Sequence, residues 1–214
     1  MDHYFTNNQN LKSEIRTLGY ECQGQTINFF SDNGVFSKNH LDYGSRLLIE
    51  TFLKNESDYE TVLDIGCGYG LIGITISKIT GKNVTMCDIN KRAIHLCERN
   101  IVANKVSAIV FESNIYENIN DKYDIIITNP PIKAGKNVVL EFLMGAKNHL
   151  NSEGKLWFVM RKDQGAKSIK KMLSEHFEIN ILEKDKGFYI FSCKMYWQLA
   201  RFFAKIIKCR RVYF

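Results

Sequence analysis

Residues 64–70 read Asp-Ile-Gly-Cys-Gly-Tyr-Gly, and this run decides the fold. It completes a short apolar stretch, residues 61–65, whose β-branched side chains predict a buried strand. Residues 71–77 predict the start of a helix. Alternate glycines between a strand and a helix allow positive φ angles and let a ligand approach the backbone amides closely. The run therefore predicts a ligand-binding turn, with a tight turn that binds nothing as the simpler alternative.

Two aspartates and the glycine spacing separate this turn from the nicotinamide-binding pattern. The glycines follow G-x-G-x-G and not G-x-G-x-x-G. Asp64 stands two residues before the first glycine, where it could meet the amino group of a methionine moiety. Asp88 follows the next predicted strand, residues 83–87, about 20 residues beyond the turn, where an acid that binds a ribose is expected. These features favour S-adenosylmethionine as the cofactor.

A rigid corner, Asn129-Pro130-Pro131, ends the apolar strand predicted at residues 123–128. Each proline fixes its own φ angle and keeps the preceding residue out of the helical region. The Asn129 side-chain oxygen and the Pro130 carbonyl are therefore held in a preset geometry. Two such acceptors can orient an amine and stabilise the charge that develops when it is methylated. Asn-Pro also starts ordinary turns, so the corner alone leaves both interpretations open.

Strand-like and helix-like runs alternate from residue 61 to about residue 194, which predicts an α/β fold with helices on both faces of a parallel sheet. The last two strands, near residues 177–182 and 188–193, are joined by a short charged turn and predict a hairpin. One strand of the sheet is then antiparallel. We expect a catalytic core over residues 59–194. Residues 1–58, with a strand near 25–30 and a helix near 41–53, would form a cofactor-capping lid on it.

Together these residues resemble the class I S-adenosylmethionine-dependent methyltransferases, whose fold is a Rossmann-like, doubly wound, seven-stranded sheet. The longer run at residues 129–136, Asn-Pro-Pro-Ile-Lys-Ala-Gly-Lys, is similar to the signature of the 16S ribosomal RNA guanine-N2 methyltransferases, with Lys133 in place of arginine. Segments 32–37, 42–48 and 187–189 also match that family. The resemblance covers residues 2–194.

The resemblance implies a role for each matching position. Asn129, Pro130 and Pro131 would form the catalytic corner that holds the target amine. The segment around Phe36 and Ser37 would close over the cofactor from the N-terminal side. The full cofactor-binding set would be Phe36, Ser37, Asp64, Gly66, Cys67, Gly68, Gly70, Asp88, Ile89, Asn114 and Asn129.

Three positions depart from the patterns of related enzymes. Asn114 stands where an acid usually contacts the adenine amine, and its oxygen can still accept that hydrogen bond. Ile132 stands where adenine-N6 and glutamine methyltransferases carry an aromatic ring, which argues against those substrates. Lys133 keeps the positive charge but loses the planar fork of arginine. The substrate expected from the resemblance is therefore a guanine.

The composition fits a cytoplasmic protein that binds RNA. The chain has 214 residues, which suits one α/β domain, and its first ten residues are too polar for a signal peptide. The six cysteines and five histidines show no metal-binding spacing, so we expect reduced thiols and no metal. Lys133, Lys136, Arg161 and Lys162 lie near the predicted catalytic edge and are candidate RNA contacts, although lysines on helices often only face solvent.

The last segment, residues 195–214, predicts a basic amphipathic helix. Residues 194–214 contain six basic residues and no acid, so they account for the whole formal charge of +6. Three roles remain open for this helix. Its apolar face could pack on the domain, its cations could bind RNA phosphates, or it could lie on a membrane surface.

We therefore expect a methyltransferase that acts on the exocyclic N2 amine of a guanine in 16S ribosomal RNA, with the small ribosomal subunit as partner. Two alternatives remain at this stage. The same fold could methylate transfer RNA or a protein amide. A non-catalytic RNA-binding or ribosome assembly factor could also keep the fold without turnover.

Overall fold

Nine strands and five helices make up the part of the chain that the structure, a computed structural model, describes, residues 11–196. The strands are β1 Arg16–Cys22, β2 Gln25–Ser31, β3 Val62–Ile65, β4 Val84–Asp88, β5 Ala108–Glu112, β6 Tyr123–Thr128, β7 Leu150–Arg161, β8 Phe177–Asp185 and β9 Phe188–Met195. The helices are α1 Tyr43–Asn55, α2 Leu71–Thr80, α3 Lys91–Asn104, α4 Lys136–His149 and α5 Ala166–Leu173. Single 3₁₀ turns at Ile132–Ala134 and Lys162–Gln164 precede α4 and α5.

The seven strands after α1 form one sheet in the order β5-β4-β3-β6-β7-β9-β8. All neighbours are parallel except that β9 runs antiparallel to both β7 and β8. The predicted fold class, a mostly parallel seven-stranded sheet with one antiparallel strand, is therefore confirmed. The chain winds outward in one direction from β3 and in the other from β6. The glycine turn and Asn129 follow these two strands, and ligands bind at such a switch point in open α/β sheets.

Two apolar cores lie on opposite faces of the sheet. On one face, α1, α2, α3 and the β1–β2 hairpin cover a core that contains Trp157, Phe29 and Phe52. On the other face, α4 and α5 cover a core that contains Phe158 and Phe191. All four residues of β3 are buried, since helices cover both of its faces. This burial fixes the strand ends from which the site is built.

The β1–β2 hairpin is attached to α3 by two asparagines one helical turn apart. Asn100 accepts from the Phe30 amide at 2.7 Å and donates to the Phe30 carbonyl at 3.0 Å. Asn104 makes the same pair of bonds with Asn28, at 3.1 and 2.8 Å. Asn100 also donates to the carbonyl of Tyr69 at 2.8 Å, and so connects the hairpin to the glycine turn. We call Asn100 and Asn104 the amide clamp.

Removing one half of the amide clamp should destabilise the fold. Asn100 is fully buried, so Asn100→Ala leaves backbone groups of Phe30 and Tyr69 without partners in the interior. An unsatisfied buried polar group costs about 1–3 kcal/mol, and we expect the free energy of unfolding to fall by ~3 kcal/mol. Urea titration measures this loss. Asn55→Ala, at the exposed end of α1, is the matched control and should change stability by less than ~0.5 kcal/mol.

The N-terminal segment matches part of what the sequence predicts. The strand predicted near 25–30 is β2, and the helix predicted near 41–53 is α1. The β1–β2 hairpin packs mainly on α3, and α1 packs on α2 and β7. The segment reaches the cavity described below with Phe36, Asp42 and Ser45. Strand β1 was not expected, since residues 16–22 mix charged and apolar side chains without a continuous apolar run.

The predicted C-terminal helix lies almost entirely outside the described residues. Met195, its first residue in the prediction, instead pairs with Phe177 at the end of β9. Residues 197–214 are outside the described range. Between residues 11 and 196, no helix combines the length and the apolar character needed to cross a bilayer.

Candidate active site

A cavity of about 510 Å³ lies at the carboxyl ends of β3, β4, β5 and β6. Its lining includes residues of the two segments that the sequence singles out, the glycine turn and the Asn-Pro-Pro corner. The predicted residues that line it are Phe36, Gly66, Cys67, Gly68, Asp88, Ile89, Asn114, Asn129, Pro130, Pro131, Lys133 and Arg161. The structure therefore brings most of the predicted cofactor-binding and catalytic residues together around one space.

The glycine turn is shaped by bonds to the next strand. Gly66, Gly68 and Gly70 have φ angles of 71°, 58° and 94°, which residues with a Cβ rarely adopt. The amides of Gly66 and Cys67 donate to the Cys87 carbonyl at 2.9 and 3.0 Å. A Cβ placed on Gly68 would meet no atom within 4 Å, so a side chain there would enter open space at the cavity wall. Glycine keeps that space free for a ligand.

Asp88 holds the turn and faces the cavity. Its Oδ2 accepts from the Gly68 amide at 2.8 Å, and its Oδ1 accepts from the Asn90 amide at 2.8 Å. Burial raises the pKa of the Asp88 carboxyl, and the hydrogen bonds from these amides partly offset that effect. A partly desolvated carboxylate gains from further donors, and two neighbouring hydroxyls of a ribose would supply them. Asn114, after β5, lines the same cavity.

Asp64 lies beneath the turn and not on the cavity wall. It is fully buried, and its Oδ2 accepts from the Gly73 amide in the first turn of α2 at 2.8 Å. Its Oδ1 is buried and has no hydrogen-bond partner among the described residues. Asp64 thus caps α2, whose N-cap residue Gly70 has no side chain to do so. Its predicted contact with a methionine amino group stays a prediction.

The ionisation of Asp64 should make the stability of the ligand-free protein depend on pH. Burial raises the pKa of Asp64 to about 7, and the charge of Asp88 adds to this effect. Between about pH 4 and pH 7 the folded protein keeps a proton here that the unfolded chain has lost. This contribution to the free energy of unfolding therefore decreases as pH rises, by ~2 kcal/mol between pH 5 and pH 8. Urea titrations of wild type and Asp64→Asn measure it as the difference between the two pH dependences. Parallel pH dependences would contradict the prediction.

The side chain of Asn129 is fixed by the start of α1. Its Nδ2 donates to Asp42 Oδ2 at 3.0 Å and to Ser45 Oγ at 2.8 Å. Asp42 is also the N-cap of α1 and accepts from the Ser45 amide at 2.7 Å. A carboxylate only accepts hydrogen bonds, so the nitrogen of Asn129 must face Asp42. The amide oxygen receives no donor from the described residues and is left to accept one at the cavity.

The remaining predicted residues lie around this site or away from it. Ser37 donates to the His40 carbonyl at 2.5 Å, Gly70 is the N-cap of α2, and neither lines the cavity. Lys136, the first residue of α4, and Lys162, after β7, also lie outside the lining. The roles predicted for these residues in cofactor and RNA binding remain untested predictions.

Sequence reasoning did not assign roles to several residues that the structure brings to the cavity. Asp42 and Ser45 have the spacing of a helix N-cap and the residue whose amide it accepts from, and an apolar periodic run follows them. A search for capping patterns could therefore have located them. Gln164 and Phe188 come from later elements of the chain. The surroundings of Gln164 carry no local sign of a binding role, and segment 187–189, which holds Phe188, matches the related family without indicating a role for the ring.

The comparison with known proteins identifies the family. Residues 26–192 match the methyltransferase small domain family. The chain belongs to this family. YbxB of Bacillus subtilis, which is described as uncharacterized, is 37% identical over 198 residues, which cover 90% of this chain and 98% of YbxB. The small domain methyltransferases use S-adenosylmethionine, and the open glycine turn and the partly desolvated Asp88 carboxyl fit such a nucleoside cofactor.

Two further relatives are methyltransferases named for ribosomal RNA. Ribosomal RNA small subunit methyltransferase C of Haemophilus ducreyi is 38% identical over 129 residues, which cover 58% of this chain and 39% of that protein. The chain thus spans about two fifths of that relative. A Thermus thermophilus 16S rRNA N2 G1207 methyltransferase, solved with S-adenosylmethionine and guanosine, has a TM-score of 0.76 at 22% identity. That likeness covers 87% of this chain and 52% of the Thermus protein, and it shows the class I methyltransferase fold.

Proposed function

We propose that this small domain methyltransferase transfers a methyl group from S-adenosylmethionine to the exocyclic N2 amine of a guanine in 16S ribosomal RNA. The observation that carries the proposal is the fixed amide of Asn129. Its nitrogen is bonded to Asp42 and Ser45, so its oxygen is an acceptor of fixed direction beside the cofactor cavity. An exocyclic amine needs such an acceptor.

The chemistry of this site follows from where its acceptors lie. The bound cofactor supplies a methyl group on a sulfonium centre. Asn129 Oδ1 and the Pro130 carbonyl accept the two amine hydrogens, which turns the nitrogen lone pair toward that methyl group. As the new N–C bond forms and the C–S bond breaks, both acceptors stabilise the positive charge on the nitrogen. The sulfur keeps the bonding electron pair, and the nitrogen then loses one proton to solvent.

The choice of guanine in ribosomal RNA rests on the corner and on the relatives. Ile132 gives the corner an aliphatic side chain on the cavity, in contrast to the aromatic residue of adenine-N6 methyltransferases. Of the relatives described above, one is named as a ribosomal RNA small subunit methyltransferase and one as a 16S rRNA N2 G1207 methyltransferase. A base in RNA must leave its stack to reach the corner. The cytoplasm, where ribosomal subunits are present, is the compartment that this proposal implies.

Transfer of labelled methyl to small ribosomal subunits tests the proposal. Subunits are prepared from a strain that lacks this gene, incubated with labelled S-adenosylmethionine and the protein, and their RNA is digested to nucleosides. We expect the label in N2-methylguanosine, and a reaction with Asn129→Ala serves as the blank. Label in another nucleoside, in transfer RNA or in protein would contradict the proposed substrate and identify a different one. Absence of any transfer, with cofactor binding intact, would favour a non-catalytic RNA-binding role.

A further inference from the structure

The aromatic ring of Phe188 lies at the same edge of the sheet as the catalytic corner. Phe188 is the first residue of β9 and pairs with Arg161, the last residue of β7. Because β9 runs antiparallel to β7, its first residue lies at the carboxyl edge of the parallel strands. Phe188 is half-buried and lines the cavity together with Asn129, Arg161 and Gln164.

The start of α1 supports both this ring and Asn129. The rings of Tyr43 and Phe188 are 5.7 Å apart at an angle of 49°. A Cβ on Gly44 would lie 2.9 Å from the Phe188 ring, so the ring packs where only glycine leaves room. The neighbouring Asp42 and Ser45 hold the Asn129 amide. The ring and the amine acceptor are therefore positioned by one rigid helix end.

Phe188 is the cavity ring best placed to contact a base at the corner. Four aromatic residues line the cavity, and the other three lie elsewhere. Tyr69 is buried within the glycine turn, and Phe142 packs beneath Gly66. Phe36 follows Gly34, whose carbonyl accepts from the side chain of Asn90 on the ribose side of the cavity. The corner itself supplies no ring at this position.

Cations surround the two rings. Arg161 Cζ lies 5.4 Å from the centroid of Phe188, while Arg46 Cζ and Lys186 Nζ lie 5.5 and 4.6 Å from the centroid of Tyr43. We call these five residues the rim cluster. Asp163 pairs with Arg161, and Asp185 accepts from the Tyr43 hydroxyl. Aromatic faces next to exposed cations are the combination with which proteins bind unstacked bases and their phosphates.

We propose that the target guanine stacks on Phe188 while Arg161 and Lys186 contact the flanking phosphates. The inference rests on the proposed function, because a stacking surface beside Asn129 needs a planar substrate. Phe188 thereby takes the part of the aromatic ring that the corner lacks at Ile132. It holds the base plane so that the exocyclic amine meets Asn129.

Phe188→Leu tests this role, since leucine keeps an apolar side chain against Gly44 but has no ring. Loss of one base-stacking ring should lower kcat/KM for RNA by ~10- to 100-fold, while the Kd for S-adenosylmethionine stays within ~3-fold. Phe188→Tyr should recover most of the lost kcat/KM because it restores the ring. Val102→Ala removes an exposed apolar side chain on α3, outside the cavity, and should match wild type. Full kcat/KM in Phe188→Leu would overturn the inference.

A binding measurement separates this inference from the reaction itself. Phe188→Trp places a fluorophore at the proposed stacking position, and wild type, with Trp157 and Trp197, provides the background. With S-adenosylhomocysteine bound, guanosine 5′-monophosphate should quench the added fluorescence. If guanosine 5′-monophosphate quenches the variant's fluorescence but the wild type methylates no guanine, the proposed function is refuted and the stacking inference stands. Guanine methylation by wild type, without quenching in the variant, would refute the stacking role alone.

Discussion

Asn129→Ala is expected to lower kcat by about 100- to 1000-fold, which is the size of effect that follows loss of one fixed polar group at a reacting centre. The variant removes the acceptor that orients the amine and stabilises its developing charge. It leaves the glycine turn and Asp88 unchanged, so the Kd for S-adenosylmethionine should stay within ~3-fold. Single-turnover methyl transfer together with calorimetry measures both quantities.

Asn118→Ala is the matched control for this experiment. Asn118 is exposed, bonds only locally to the Glu112 carbonyl and Ser113 hydroxyl, and does not line the cavity. Its kcat should equal that of wild type. Ser45→Ala removes one of the two bonds that hold the Asn129 amide, so we expect an intermediate loss of ~10-fold. Wild-type turnover in Asn129→Ala would remove Asn129 from the mechanism.

Asp88→Ala is expected to weaken S-adenosylmethionine binding by ~100-fold. The variant removes the carboxylate that would accept from the ribose hydroxyls, and charge-assisted hydrogen bonds contribute about 1.5–3 kcal/mol each. It also frees the Gly68 amide that Asp88 holds at 2.8 Å, which loosens the glycine turn. At saturating cofactor, kcat should fall much less, because the catalytic corner is intact.

Isothermal titration calorimetry measures the change in cofactor affinity. Asp88→Asn keeps one acceptor oxygen and should lie between Asp88→Ala and wild type. Asp121→Ala removes an equal charge from an exposed loop outside the cavity and should bind the cofactor like wild type. An unaltered Kd in Asp88→Ala would refute the assigned role.

The central sheet could be predicted from the sequence because its strands are locally distinct. Residues 123–128 and 188–193 are apolar runs, as expected for strands that are covered on both faces of the sheet. The charged turn before β9 predicts that the chain reverses direction there. Strand β1 could not be predicted in this way. Tyr20 and Cys22 are buried against elements that come later in the chain, and the sequence of residues 16–22 does not indicate that contact.

The candidate site was predictable where one segment supplies it, and not where distant segments meet. The Asn-Pro-Pro corner and the glycine turn are local motifs. Contacts of Asn129 with Asp42 and Ser45 join residues more than 80 positions apart and depend on the docking of α1. The burial of Asp64 could not be predicted from hydrophobic periodicity either, because all residues of β3 are buried and the strand shows no alternation between faces. The placement of Phe188 at the cavity depends likewise on the packing of its ring against the start of α1.

The amide clamp has a consequence for how the protein behaves in concentrated solution. A β-hairpin outside the main sheet presents strand edges that can pair with other chains and begin aggregation. Asn100 and Asn104 bond to both the donors and the acceptors of β2, much as a third strand would, and so occupy the edge that faces α3. Because these partners are helix side chains, they satisfy the hydrogen-bonding groups of that strand edge and expose no new strand edge. A single pair of residues thus docks the hairpin on the core and also blocks one of the two strand edges through which the hairpin could associate with other chains.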